Sequence, residues 1–98
     1  MQAVLCRRHG PPESLVLEDV PPPTPVPGEV VVAVHAAGVN FPDTLIIENR
    51  YQFKPALPFS PGSEVAGTVA RTGPGVTGFA PGDRVLALCG WGGYAEEV

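Results

Sequence analysis

Thirteen prolines and twelve glycines spread through 98 residues constrain this chain more than any other feature. Proline inside a helix removes a hydrogen bond and collides with the preceding turn, and glycine there costs about 1 kcal/mol relative to alanine. A helix bundle is thereby excluded, and short strands joined by turns are favoured. Gln2–Arg8 reads as a first strand and Ser14–Val20 as a second, punctuated by His9-Gly-Pro-Pro. The segment Pro21-Pro-Pro-Thr-Pro-Val-Pro-Gly28 cannot donate to a ladder, which predicts an extended surface connection.

Glu29–Val39 is a long apolar run without alternation, which predicts a strand buried on both faces. His35 stands alone in it and is read as a hydrogen-bonded structural residue rather than a catalyst. A short helix is expected over Phe41–Glu48. Asn40 is a favoured N-cap, Pro42 is tolerated in the first turn, and the Asp43 carboxylate complements the positive helix end. Asn49 can take the left-handed conformation that stops a helix. A proline-rich loop, Lys54–Gly62, then leads to the strand Pro61–Val69. In that strand Val65, Gly67 and Val69 share one face, and Glu64, Ala66, Thr68 and Ala70 the other. Glu64 is either a buried carboxylate that needs a cation or several donors, or a solvated side chain on an edge strand.

Gly73-Pro-Gly-Val-Thr-Gly78 matches the G-x-G-x-x-G pattern of dinucleotide folds in letters only. That pattern requires a helix whose first amides face a pyrophosphate, and Phe79-Ala-Pro-Gly-Asp83 forbids one, so a turn between strands is expected. Arg84–Leu88 is a further strand, ending in Cys89-Gly-Trp-Gly-Gly, and Tyr94–Val98 begins another.

A net charge of −4 and a pI near 4.9 argue against nucleic acid as a partner. Lys54 is the single lysine, and Arg7-Arg8 is the sole basic pair. Cys6 and Cys89 lie far apart in apolar runs, so they are read as small core residues whose thiols suit a reducing compartment. The run Val30–Pro42 is too short to span a membrane and no apolar leader precedes the arginines, so a soluble cytoplasmic protein is expected.

Three blocks in order carry a family resemblance: Ala36–Asp43 (A-A-G-V-N-F-P-D), Pro61–Val69 (P-G-S-E-V-A-G-T-V) and Gly82–Val85 (G-D-R-V). The opening Gly10-Pro-Pro-Glu-Ser-Leu-Val-Leu-Glu, the turn Pro27-Gly-Glu-Val-Val-Val and the closing Gly92-Gly-Tyr-Ala-Glu extend it over nearly the whole chain. Together they resemble the N-terminal catalytic domain of the medium-chain dehydrogenase/reductase superfamily, in its zinc-free quinone oxidoreductase branch. The resemblance implies a mainly β fold, a GroES-like partly open β-barrel with one short helix, and no Rossmann domain within this chain. Residues 1–98 would form one incomplete GroES-like domain of an enzyme about three times longer. As a fragment it would be inactive, would leave apolar surface uncovered, and would be marginally stable alone.

In the zinc branch of the superfamily a Cys and a His ligate the catalytic metal where this chain has Asn40 and Ser63, neither a good zinc ligand. The stretch after Val85 that would carry the structural zinc has only Cys89. No metal site is therefore expected. The resemblance instead implies hydride transfer from NADPH, rather than NADH, to a small-molecule quinone or enone. Asn40 would lie beside nicotinamide and acceptor as a catalytic and cofactor-binding residue, and Tyr51 would line the pocket as a second catalytic residue. Asp43 is a cofactor-binding candidate that stands closer to a structural role as a first-turn carboxylate. Glu64 would be a buried organiser of the site, and Trp91 a possible pocket wall. A homodimer without nucleic-acid or membrane partners is expected. An enoyl-thioester reductase is the near neighbour of this reading, and a GroES-like binding or scaffold module without catalysis is the alternative from another class.

Overall fold

The computed structural model describes all residues from Met1 to Val98. Strand β1 (Gln2–Leu5), a short 3-10 turn (Pro12–Ser14), β2 (Val16–Asp19), β3 (Val30–Ala37), helix α1 (Phe41–Ile46), β4 (Glu64–Thr72) and β5 (Arg84–Leu88) follow in chain order. Antiparallel β1 and β2 form one sheet, and β3, β4 and β5 form a second with β4 in the centre. The final segment Tyr94–Val98 joins them. The Tyr94 carbonyl accepts from the Val4 amide at 2.8 Å and the Glu96 amide donates to the Gln2 carbonyl at 3.1 Å. On its other edge the Glu96 carbonyl accepts from Val34 at 2.8 Å, and Val98 and Val32 exchange bonds at 2.7 and 3.0 Å. The result is a curved, mainly β structure that does not close into a barrel.

The proline strap makes no ladder, and Arg71 holds it. Its guanidinium donates to the Pro23 carbonyl at 2.8 Å and grips Glu97 through two bonds of 2.9 and 3.0 Å. That guanidinium holds the Glu97 carboxyl below the usual carboxylate range. Helix α1 stops two residues earlier than the sequence suggests. Beyond Ile46 the chain tightens into turn-type bonds, Glu48 to Leu45 and Asn49 to Ile46, and Asn49 at φ 60° ends it. The turn expected over Gly73–Gly78 is present, with no helix after it. No helix is long and apolar enough to cross a membrane.

Two buried groups make the core. Ala3, Leu5, Val31, Val32, Val65 and Val69 fill the space inside the curved strands, and Cys6, Ile46, Ile47 and Phe59 pack α1 against the end of β1. Each large aliphatic or aromatic side chain so buried stabilises the fold by about 1.5–3 kcal/mol. Burial also pushes the Cys6 thiol up from its ordinary pKa.

Strand β4 alternates as its sequence demands, with Val65, Gly67 and Val69 buried and Glu64 and Ala66 exposed. Strand β3 departs from expectation. It runs only from Val30 to Ala37, and burial is confined to Val31 and Val32 while His35 and Ala36 are exposed. The register shift between Val31 and Val32 places two successive residues inward, and a second shift between Val34 and Ala36 bends the strand end. The outer face of β3–β4–β5 is open, so an apolar run does not become a strand covered on both sides. Leu86 and Leu88 are 81% and 83% exposed on it, uncovered apolar surface as expected. Glu64 lies on this open face, so it is neither buried nor on an edge strand.

Candidate functional site

Gly38, Val39 and Asn40 carry the chain from the end of β3 to the start of α1, and four polar side chains converge there. The Asp43 carboxylate, in the first helical turn, reaches back to accept the Asn40 backbone N–H at 2.8 Å, while the Asp43 N–H donates to the Asn40 carbonyl at 3.0 Å. This reciprocal bonding satisfies helix-end donors and fixes the entry of the chain into α1. Asp43 is only 5% exposed. Its same Oδ2 accepts a second hydrogen bond, from the Tyr94 hydroxyl at 3.0 Å. Desolvation, reinforced by the hydrogen bond to Asp43 and its charge, pushes the Tyr94 pKa up to about 12.

On the solvent side, Asn40 Nδ2 donates to Glu64 Oε1 at 3.1 Å. A carboxylate only accepts, so the amide nitrogen of Asn40 must face Glu64, and its orientation is thereby set. Gly38 lets the two elements come this close, because a Cβ there would collide with the Glu64 carboxylate. Beside them lies a cavity of about 230 Å³ lined by Gly38, Glu64, Ala66, Leu86 and Leu88.

The structure therefore unites Asn40, Asp43 and Glu64 through hydrogen bonds, none of which involves Tyr51. Tyr51 packs on the Cys6–Ile46–Ile47–Phe59 cluster. Its ring meets Phe53 edge-on at 5.4 Å, and Phe53 lies 6.1 Å from Trp91, so Trp91 completes a row of three aromatic side chains. Cys89 donates weakly to the Gly62 carbonyl at 3.3 Å, and burial raises its pKa, which makes it a packed thiol. Tyr94 is the residue that sequence reasoning missed. Gly92-Gly-Tyr94 is visible as a block, but the contact to Asp43 spans 51 positions and no local spacing encodes it.

No three His, Cys, Asp or Glu side chains come together in a way that could hold a metal ion. The positions of interest for zinc, Asn40 and Ser63, carry an amide and a hydroxyl.

Residues 26–98 match the alcohol dehydrogenase GroES-like domain family. The chain is 47% identical over 98 residues to a quinone oxidoreductase-like protein 2 homolog of Nematostella vectensis, covering 98% of this chain and 26% of that protein. It is 46% identical over 98 residues to a quinone oxidoreductase of Rattus norvegicus, covering 98% of this chain and 30% of that one. The crystal structure of Escherichia coli quinone oxidoreductase complexed with NADPH superposes with a TM-score of 0.91 at 35% identity, over 100% of this chain and 30% of that chain. The chain belongs to the GroES-like domain family of the medium-chain dehydrogenase/reductase superfamily, in its quinone oxidoreductase branch. It spans less than a third of the length of the curated relatives named here.

Proposed function

We propose that this chain supplies the acceptor side of the active site of an NADPH-dependent quinone oxidoreductase that works without zinc. The observation that carries the reading is Asn40, an amide fixed by a buried carboxylate at its backbone and by Glu64 at its side chain, Glu64 itself lining an open, mostly apolar cavity. The residues present fit the nicotinamide end of the cofactor, where a carboxamide and an acceptor carbonyl need amide partners. They do not fit its phosphates, since the turn at Gly73–Gly78 leads into no helix. When bound, NADPH supplies a hydride, and a quinone that takes the hydride and one proton from water leaves as the hydroquinone.

The chain's own residues position and polarise. Asn40 Nδ2 has two hydrogens, and Glu64 takes one of them. The second is available to an acceptor carbonyl oxygen or to the nicotinamide carboxamide. A fixed donor aimed at developing negative charge contributes about 10²–10³ in rate. The Tyr51–Phe53–Trp91 row offers flat apolar surface for a ring-shaped acceptor. Asp43 serves the cofactor indirectly, by holding Asn40. Zinc independence rests on the donor chemistry of Asn40 and Ser63, an amide and a hydroxyl where thiolate or imidazole would be needed. A homodimer in the cytoplasm belongs to the same proposal, and two free thiols suit that compartment.

The test is NADPH oxidation with a simple quinone by the full-length protein, with and without a strong chelator, beside Asn40→Ala. Chelator-resistant turnover that falls about 10²-fold in the variant supports the proposal. Turnover abolished by the chelator overturns zinc independence. Absence of both turnover and NADPH binding favours a GroES-like module that binds without catalysis.

A further inference from the structure

We propose that Tyr94 is a positioning residue for the quinone reductase reaction, clamping the loop between β3 and α1 so that Asn40 is held in its working orientation. The inference rests on the functional reading above and deepens it. The Tyr94 hydroxyl donates its one proton to Asp43 Oδ2 at 3.0 Å and lies 3.3 Å from the Gly38 carbonyl, the alternative acceptor, so a single side chain stands against the loop at both ends, with Asn40 between. Asp43 Oδ2 is the shared acceptor. It takes the Tyr94 hydroxyl and the Asn40 backbone N–H at once, which transmits the position of the tyrosine directly to Asn40.

Tyr94 is itself anchored at the backbone. Its N–H donates to the Pro61 carbonyl at 2.9 Å and its carbonyl accepts from Val4 at 2.8 Å, on the segment that joins the two sheets. The approach is built for this ring. Gly62 sits at φ 99°, and a Cβ there would stand 2.6 Å from the Tyr94 ring. Asp43 would otherwise be a buried carboxylate with one donor, and a second donor that brings no charge of its own completes its coordination without titrating at neutral pH.

Tyr94→Phe in the full-length protein keeps the ring and deletes the hydroxyl. The expected result is a kcat lowered about tenfold with a much smaller change in KM for NADPH, since one hydrogen bond to a charged group is lost and Tyr94 itself makes no cofactor contact. Hydrogen exchange at the Asn40 backbone amide should accelerate by about tenfold in the same variant. In an Asn40→Ala background, Tyr94→Phe should cost nothing further, because it acts through the side chain already removed. Asp43→Asn, which keeps one acceptor oxygen, should show the same split between kcat and KM and a smaller rise in exchange.

Unchanged kcat and unchanged Asn40 exchange in Tyr94→Phe would overturn the assignment. So would a full tenfold loss persisting in the Asn40→Ala background. Should Tyr94→Phe not fold, wild-type behaviour of Asp43→Asn in both measurements overturns it equally. A full-length protein that neither binds nor oxidises NADPH defeats the function proposed above, and exchange at Asn40 in the variants then decides the clamp by itself.

Discussion

Two carboxylates hold Asn40, and they do so from opposite sides of the molecule's surface. Asp43 lies beneath the loop, 5% exposed, and accepts two hydrogen bonds on one oxygen. Glu64 lies on the open sheet face, exposed, and its Oε1 accepts from the Asn40 amide at 3.1 Å. The buried carboxylate fixes the backbone of Asn40 and the exposed one turns its side chain. A hydrogen bond to a buried acceptor is costlier to break than one to an exposed acceptor, because water replaces the lost partner less readily there. The difference predicts that the two carboxylates divide the labour, with Asp43 governing stability and loop position and Glu64 governing only the orientation of the amide.

The largest effect should come from Asp43→Ala. It strands the Asn40 N–H and the Tyr94 hydroxyl together, and about 2–3 kcal/mol of stability should go with them, read as a lowered urea midpoint. A loss below about 1 kcal/mol would mean that burial does not distinguish the two carboxylates, and the comparison would break there.

Sequence reasoning finds these residues and misplaces one of them. Glu64, read as a buried organiser, proves exposed, while Asp43, read as closer to structural than to cofactor-binding, is buried beneath the loop. The cause is physical. Period two in Glu64–Thr72 separates the faces correctly, but alternation cannot say which face another layer covers. The same limit makes Glu29–Val39 read as buried on both sides. Signals carried by neighbours in sequence were legible: the Asn40 cap, the left-handed stop at Asn49, the prolines that keep 21–27 out of any ladder, and the turn at 73–78. Contacts between distant segments, such as Tyr94 with Asp43 or Arg71 with Pro23 and Glu97, leave no local trace.

A smaller effect tests the buried side through pH. The folded pKa of Tyr94 is about 12, raised from an ordinary value of 10.0, first by desolvation and then by Asp43. The folded state therefore keeps a proton that the unfolded chain releases from about pH 10 upward. Its contribution is complete below that pH and is lost as pH rises through the folded pKa. Melting temperature should decline between pH 10 and 12 more steeply in the wild type than in Tyr94→Phe, which has nothing to titrate there. Parallel curves would show that the hydroxyl is no more constrained in the folded state than in the unfolded one.

The smallest effect should come from Glu64→Gln, and it discriminates best between the two sides. Glutamine keeps an acceptor oxygen at the end of a side chain of the same length, and the group is exposed, so stability should change by less than about 0.5 kcal/mol. Orientation is another matter. A carboxylate forces the Asn40 amide nitrogen toward itself, whereas a carboxamide can present either its oxygen or its nitrogen and so permits the flipped amide as well. A fraction of molecules would then offer the wrong edge of Asn40 to an acceptor. A fall of about two- to fivefold in kcat at unchanged melting temperature would place Glu64 in control of the amide alone. If melting temperature falls with kcat, Glu64 shares the structural work of Asp43, and exposure is the wrong guide to what each carboxylate does.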